Sequence, residues 1–481
     1  MIRKTILLLF LLLAIFLAWR FIRPLNIFVV TEAFDFPVDT SVIPQPLSGL
    51  GARECGACHP AFYEEWRTTI HSQAWTEPYF QTDWQFDGSQ QICRNCHTPL
   101  DRQQPHVILG FRDKEKWDPI MEPNPDFDPD LQHEGVTCAA CHVRDGRIVG
   151  VLGIQDAPHP VQQPGDPNEV CVRCHVVDGD RWDTFFRFPP CGTVAEIRSN
   201  PDSRLTRTDI ETLAAYQDNV AEMQVTASAK TPTQAGHSQG KTGEITVADT
   251  ASLGCVQCHM PLVQRPLVEG GQVRPVRRHL WRGGHDPDMV KSGLQVRFEE
   301  ASGESTDTRT FVLTLTNVGA AHYLPTGTPD RHLTVDLRLL DSEGRVLKEQ
   351  NHSLKRTVIW RPFIIDLRDT RLPRWQPRSY ELSIPANSRQ TAAAIEAIVR
   401  YHLLDEKRRK RIGYENQEPI AYEVFRHGLA VTGIDSDLET LEFAMTQGED
   451  FHYMQGNALA LPFSDNGLAV PVQRTAVVLN T

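Results

Sequence analysis

The sequence predicts an α+β chain in which a long region of short helices and irregular loops precedes an antiparallel β-sandwich-like domain. Three observations predict it. A pattern Cys-x-x-Cys-His occurs five times between Cys55 and His259. Prolines crowd the intervals between its copies; Pro119, Pro123, Pro125, Pro129, Pro158, Pro160, Pro164 and Pro167 interrupt any long helix. After about Lys291 apolar and polar residues begin to alternate, as they do in strands with one buried face.

The five copies are Cys55–Cys58–His59, Cys93–Cys96–His97, Cys138–Cys141–His142, Cys171–Cys174–His175 and Cys255–Cys258–His259, which use ten of the eleven cysteines. Two thiols three residues apart on one helical turn reach the two vinyl positions of a porphyrin, and the next residue offers an imidazole to its iron. The expected cofactor is haem c, five per chain, with His59, His97, His142, His175 and His259 as proximal ligands. A zinc knuckle or a dithiol redox pair also uses Cys-x-x-Cys. A histidine trailing every copy argues against both. The intervals between first cysteines are 38, 45, 33 and 84 residues, so the copies do not form a solenoid. So much irregular chain leaves little core of its own, and the porphyrins are expected to supply it.

The sixth ligand of each iron is read from context. Methionine is scarce, with 7 in the chain, so histidine on both faces is expected for most haems. His71 follows the first motif, with Phe62, Trp66 and Ile70 on one helical face before it; if 60–71 is one helix, His71 lies about 18 Å from His59 and must serve another haem. His279 and His285 flank a bend with Gly283 and Gly284, where the backbone can approach a flat cofactor. His159 is held between Pro158 and Pro160. His322, after a strand, is placed to reach out of the sheet domain. His106 and His133 are reserves. Cys191 has no partner and reads as a buried small residue.

Arg3 and Lys4 precede an apolar run from Thr5 to Trp19, and Arg20 and Arg23 follow it. This predicts an export signal, read as an uncleaved anchor, with the body on the periplasmic side of the bacterial inner membrane. The expected organisation is 1–24 signal anchor or signal peptide, 25–50 linker, 51–290 haem domain, 291–450 sandwich-like domain and 451–481 tail. Within it a helix is expected over 204–223, followed by a Ser/Thr/Gly/Gln-rich insertion over 226–250. Strands are expected around 295–298, 311–316, 333–339 and 380–384, and 392–404 reads as strand or helix. The net charge of −12 argues against nucleic acid or an anionic membrane surface as partner.

Around Glu54-Cys55-Gly56-Ala57-Cys58-His59 with Tyr63, Trp66 and His71, and around Cys255-Val256-Gln257-Cys258-His259-Met260-Pro261, the chain resembles the multihaem cytochrome c superfamily that includes hydroxylamine oxidoreductase and pentahaem nitrite reductase. The segment Gly319-Ala320-Ala321-His322 through Pro325-Thr326-Gly327 is similar to one in related cytochromes with a C-terminal β-sandwich. The resemblance spans roughly residues 51 to 340. It implies haem c and redox chemistry, but not the nitrite reductase site, where a lysine replaces one motif histidine; all five motifs here end in histidine.

The expected function is electron transfer, with other cytochromes or a quinol-linked membrane complex as partners and the membrane held through the N-terminal segment. Two other readings stand beside it. One open haem could act on a small nitrogen or sulfur compound, or the sandwich could dock the haem region onto a larger assembly.

Overall fold

The computed structural model describes residues 2–22, 36–112, 118–150, 157–163, 167–175, 192–199, 254–301, 308–359, 365–385, 392–415 and 420–431. The helix expected over 204–223, the insertion at 226–250, Cys191 and the tail at 451–481 lie outside them.

Ile2–Ile22 is one helix of 21 residues whose apolar window, Ile2–Trp19, has mean hydropathy 2.2 and is not buried. At 1.5 Å per residue it is about 32 Å long, enough by length and composition to cross a bilayer core. It extends past the apolar run itself.

Residues 36–50, read above as part of a linker, pack onto the motif region. Val38 and Leu50 are buried, Val38 bridges to Leu100, and the Asp101 carboxylate accepts the Thr40 N–H at 3.0 Å.

In the motif region each Cys-x-x-Cys pair sits on or beside a short helix: Ala52–Gly56, Gln91–His97, Cys138–His142, Glu169–His175 and Cys255–His259. Three small sheets brace them. They are the hairpin β1 (His106–Phe111) with β2 (Pro119–Pro123), the group β3 (Val143–Arg144), β4 (Arg147–Val149) and β5 (Val161–Gln162), and the hairpin β6 (Leu262–Pro266) with β7 (Val273–Arg277). Apolar clusters here are small. One joins Val38, Leu50, Leu100, Leu131, Ala139, Ala140 and Val143; another joins Val172, Val194, Ile197 and Ala321.

The helix after the first motif, Pro60–Trp66, stops five residues before His71, so 60–71 is not one helix. Polar side chains stop it by competing with the backbone ladder: Thr68 Oγ1 donates to the Glu65 carbonyl at 2.8 Å and Thr69 Oγ1 to that of Trp66 at 2.7 Å.

The second half is a sandwich of two antiparallel sheets. One has the order β14 (Arg378–Pro385), β9 (Thr308–Asn317), β8 (Leu294–Glu300). The other runs β11 (Val346–Leu354), β10 (His332–Leu340), β15 (Ala394–His402), β16 (Ala421–Ala430). β12 (Arg356–Ile359) and β13 (Ile365–Asp369) form a separate hairpin. Alternation explains the faces: Phe311, Leu313 and Leu315 of β9 point into one core with Leu333, Val335 and Leu337 of β10 and Ile395, Ala397 and Val399 of β15. On the outer face Thr310 and Thr314 hydrogen-bond Ser383 and Ser379 across the β9–β14 pair, each at 2.9 Å. The segment read as strand or helix is strand β15. The α+β class read from the sequence is the class observed.

Candidate haem sites

Four of the five motif helices pack in pairs, Ala52–Gly56 on Cys138–His142 and Gln91–His97 on Glu169–His175, so these neighbours in space are not neighbours in sequence. All ten motif cysteines are free of disulfides. Among the described residues no cluster of three or more His, Cys, Asp or Glu side chains converges as a protein-only metal centre requires.

The histidines are instead arranged in twos. Ring centroids lie 6.5 Å apart for His59 and His159, 6.4 Å for His71 and His175, 5.9 Å for His142 and His279, and 6.4 Å for His259 and His322. A metal bonded to one nitrogen of each of two imidazoles, at about 2 Å per bond, sets ring centres about 6 Å apart. Each pair joins one motif histidine to one histidine from elsewhere in the chain. His71 lies against His175 of the fourth motif, not against His59 of its own.

The ring nitrogens are prepared for that role. A backbone carbonyl only accepts, so a ring nitrogen facing one must carry the proton. His59 Nδ1 donates to the Leu267 carbonyl at 2.8 Å, His97 to Ala74 at 2.7 Å, His142 to Val149 at 2.7 Å and His259 to Arg282 at 2.6 Å. His279 does the same to Arg277 at 3.0 Å and His322 to Tyr323 at 2.8 Å. In all six the Nε2 lone pair is left for a metal.

Burial also keeps the imidazoles neutral, the form that ligates. It pushes His71 down to about 3 and His97, His175, His279 and His322 to about 4. Burial likewise brings His285 down to about 3.

Two expectations meet a different geometry. Among the described residues no histidine ring lies against His97; the Phe80 ring stacks on its imidazole face instead, at 3.5 Å and 7°. His285, expected beside a motif histidine, has none against it among the described residues. The close backbone approach at Gly284 is made to protein: a Cβ there would stand 2.5 Å from the Tyr401 hydroxyl. The Gly284 carbonyl accepts from the Tyr422 hydroxyl at 2.7 Å, which ties this bend to the sandwich.

The residues holding the non-motif histidines escaped the sequence reading. Glu65, buried at the end of Pro60–Trp66, accepts Arg265 through Nη1 at 2.7 Å and Nη2 at 2.8 Å, Arg278 Nε at 2.8 Å and the His279 N–H at 2.8 Å. Burial raises its pKa, but these donors outweigh burial and hold it below the usual carboxylate range. Glu196, on Thr193–Ser199, accepts the Tyr323 N–H at 3.1 Å, the Thr326 hydroxyl at 2.7 Å and Arg371 Nη1 at 2.6 Å. The loops that carry His279 and His322 are thus each pinned by a buried carboxylate that an arginine also contacts, at the histidine itself or at the residue after it.

Arginines complete the fit to a haem. Arg94, between the two cysteines of the second motif, lies over the Trp75 and Trp84 rings at 5.0 Å from each, and its buried Nη1 has no hydrogen-bond partner. Arg173, between those of the fourth, likewise has a buried Nε without one. Buried guanidinium donors of this kind suit carboxylate acceptors such as haem propionates. The donor set fits haem c.

A cysteine pair to carry the ring, with an imidazole to face its metal, is the arrangement of a c-type cytochrome, and Cys-x-x-Cys-His occurs five times in this sequence. Residues 54–118 match the family model described as cytochrome c554 and c-prime. A search of curated proteins finds no match. Among solved structures the chain is similar to a penta-haem cytochrome c552 from Thermochromatium tepidum, at 17% identity and TM-score 0.49, covering 79% of this chain and 98% of that one.

Proposed function

We propose that the chain is an exported electron carrier that binds five haem c groups through its ten motif cysteines and passes electrons along them between redox proteins. The observation that carries this reading is the set of four histidine pairs at 5.9–6.5 Å. In this reading His59 with His159, His142 with His279, His71 with His175 and His259 with His322 would hold the first, third, fourth and fifth haems. Haem supplies one-electron chemistry when bound. The chain's part would be to present two imidazoles to each of four of the metals and to keep them neutral. Ligation by histidine on both sides gives lower potentials than His/Met. No acid–base group is required.

Helix Ile2–Ile22 anchors the body to the periplasmic face of the bacterial inner membrane in this proposal, so that a quinol-linked complex or another cytochrome can reach it. The charge of −12, with haem propionates added, favours a basic docking patch on the partner.

One observation favours a second reading for the second haem alone. With Phe80 on His97 and no histidine ring against it among the described residues, the second haem in this reading would offer a position to a small nitrogen or sulfur ligand. The test is the spin state of the ferric holoprotein. A carrier with His285 closing the second haem shows only low-spin signals, and His285→Ala makes one high-spin. An open second haem shows one high-spin signal that responds to cyanide or nitrite, and His285→Ala leaves it unchanged. Loss of low-spin character from most of the haems would overturn the paired reading itself.

A further inference from the structure

One residue touches the non-motif histidine of two different pairs. The Trp281 ring lies 5.1 Å from that of His279, at 79°, and 4.9 Å from that of His71, at 64°. Both contacts are edge-to-face, the geometry aromatic quadrupoles prefer. His279 faces His142 and His71 faces His175, so a single indole stands between the third and fourth motifs' sites.

The backbone confirms that this placement is imposed. Trp281 has φ +42°, in the left-handed region that residues with a β-carbon rarely occupy. Such a conformation persists where the surroundings over-determine it. Here they do on both sides. Before it, Glu65 fixes Arg278 and the His279 N–H. After it, the Arg282 carbonyl accepts from His259 and the Gly284 carbonyl from Tyr422.

We propose that Trp281 is a shared positioning residue for the third and fourth haems: the indole, wedged between His279 and His71, sets the orientation of both imidazoles and so ties the properties of the two metals together. This rests on the axial pairing proposed above. A low-spin ferric haem with two histidines has a paramagnetic resonance signal that depends on the angle between its imidazole planes, so a wedge that moves both rings moves two signals.

The test is electron paramagnetic resonance and redox titration of full-length holoprotein carrying Trp281→Leu and Trp281→Phe. Leucine keeps much of the bulk but no ring; phenylalanine keeps a smaller ring. The expected result is a change in the low-spin signals and midpoint potentials of two haems together, larger for leucine than for phenylalanine, with the first and fifth unchanged. If the leucine variant does not mature, the phenylalanine variant decides. Signals that stay fixed, that shift for one haem only, or that shift equally for every haem overturn the proposal. His71→Ala and His279→Ala separate the failures. If each makes a different haem high-spin and Trp281 variants are silent, only the wedge is wrong; if both are silent, the pairing falls and the wedge with it.

Discussion

The imidazoles of His71 and His175 face each other with centroids 6.4 Å apart, although one follows the first motif and the other completes the fourth. The chain stitches its sites across one another: a turn after one motif supplies the ring opposite another. His71→Ala is therefore expected to leave every haem attached, since no attachment cysteine changes, while one ferric haem turns from low-spin to high-spin. Optical spectra and paramagnetic resonance of the purified variant read this directly. An unchanged spin state would remove His71 from the metal.

Glu65 ties the β6–β7 hairpin and the segment after it to the helix Pro60–Trp66. Glu65→Ala removes a buried carboxylate and leaves the half-buried Arg265 and Arg278 without it and the His279 N–H without its acceptor. Breaking a buried, hydrogen-bonded charge set in this way costs about 3–5 kcal/mol. Denaturant unfolding of the holoprotein is expected to show a loss of that size. A loss below about 1 kcal/mol, the range of exposed ion pairs, contradicts the buried clamp.

Leu337 is fully buried in the sandwich core, in the same apolar cluster as Leu333 and Ile395. Leu337→Ala is expected to cost about 2–5 kcal/mol, from lost transfer energy and the cavity left behind. Because Leu337 is far in sequence from every proposed ligand, the haem spectra should be those of the unaltered protein below the melting transition. Coupled loss of haem signals at low temperature would show that the sandwich sets the metal sites more broadly than through His322.

The two halves also meet at an acid cluster whose titration has a definite sign. Arg408 of the helix Glu406–Ile412 contacts Asp83 at 2.5 Å and Asp87 at 2.9 Å, and Tyr79 donates to Asp330 at 2.8 Å. Burial, opposed by Arg408 and reinforced by Asp87, pushes Asp83 up to about 6. Folded Asp83 then holds a proton that the unfolded chain has released above pH 4, so its contribution to stability is present at acid pH and lost as pH rises through about 6. Asp83→Asn should remove roughly 1–2 kcal/mol of pH dependence between pH 4 and 6.5, after discounting for solvent near the pair. Melting curves of both proteins at a series of pH values test this. Parallel curves would place Asp83 in ordinary solvent.

The parts legible in the sequence are those with a local signature. The motif helices follow from Cys-x-x-Cys-His itself, and β9, β10 and β14 from alternation over Phe311–Thr316, Leu333–Leu339 and Tyr380–Ile384. Strand β11 was missed because Val346–Leu354 is an edge strand with mostly polar, exposed residues. His71, His159, His279 and His322 stood out by their neighbours, but which motif histidine each would face is a matter of long-range packing that spacing does not encode. Glu65 and Glu196 carry no sequence signal of burial; only the arginines brought to them by distant segments make it tolerable. Trp281 carried one clue, a large aromatic beside a candidate ligand and a double glycine, and its second neighbour, His71, is invisible until the chain is folded.

The account rests on thioether-bound haem at every motif. The pyridine-haemochrome assay on protein purified from a cytochrome-maturing host, expressed as haem per chain, tests this most directly. Five equivalents per chain is the predicted result; two or fewer, from protein that is otherwise folded, would contradict it.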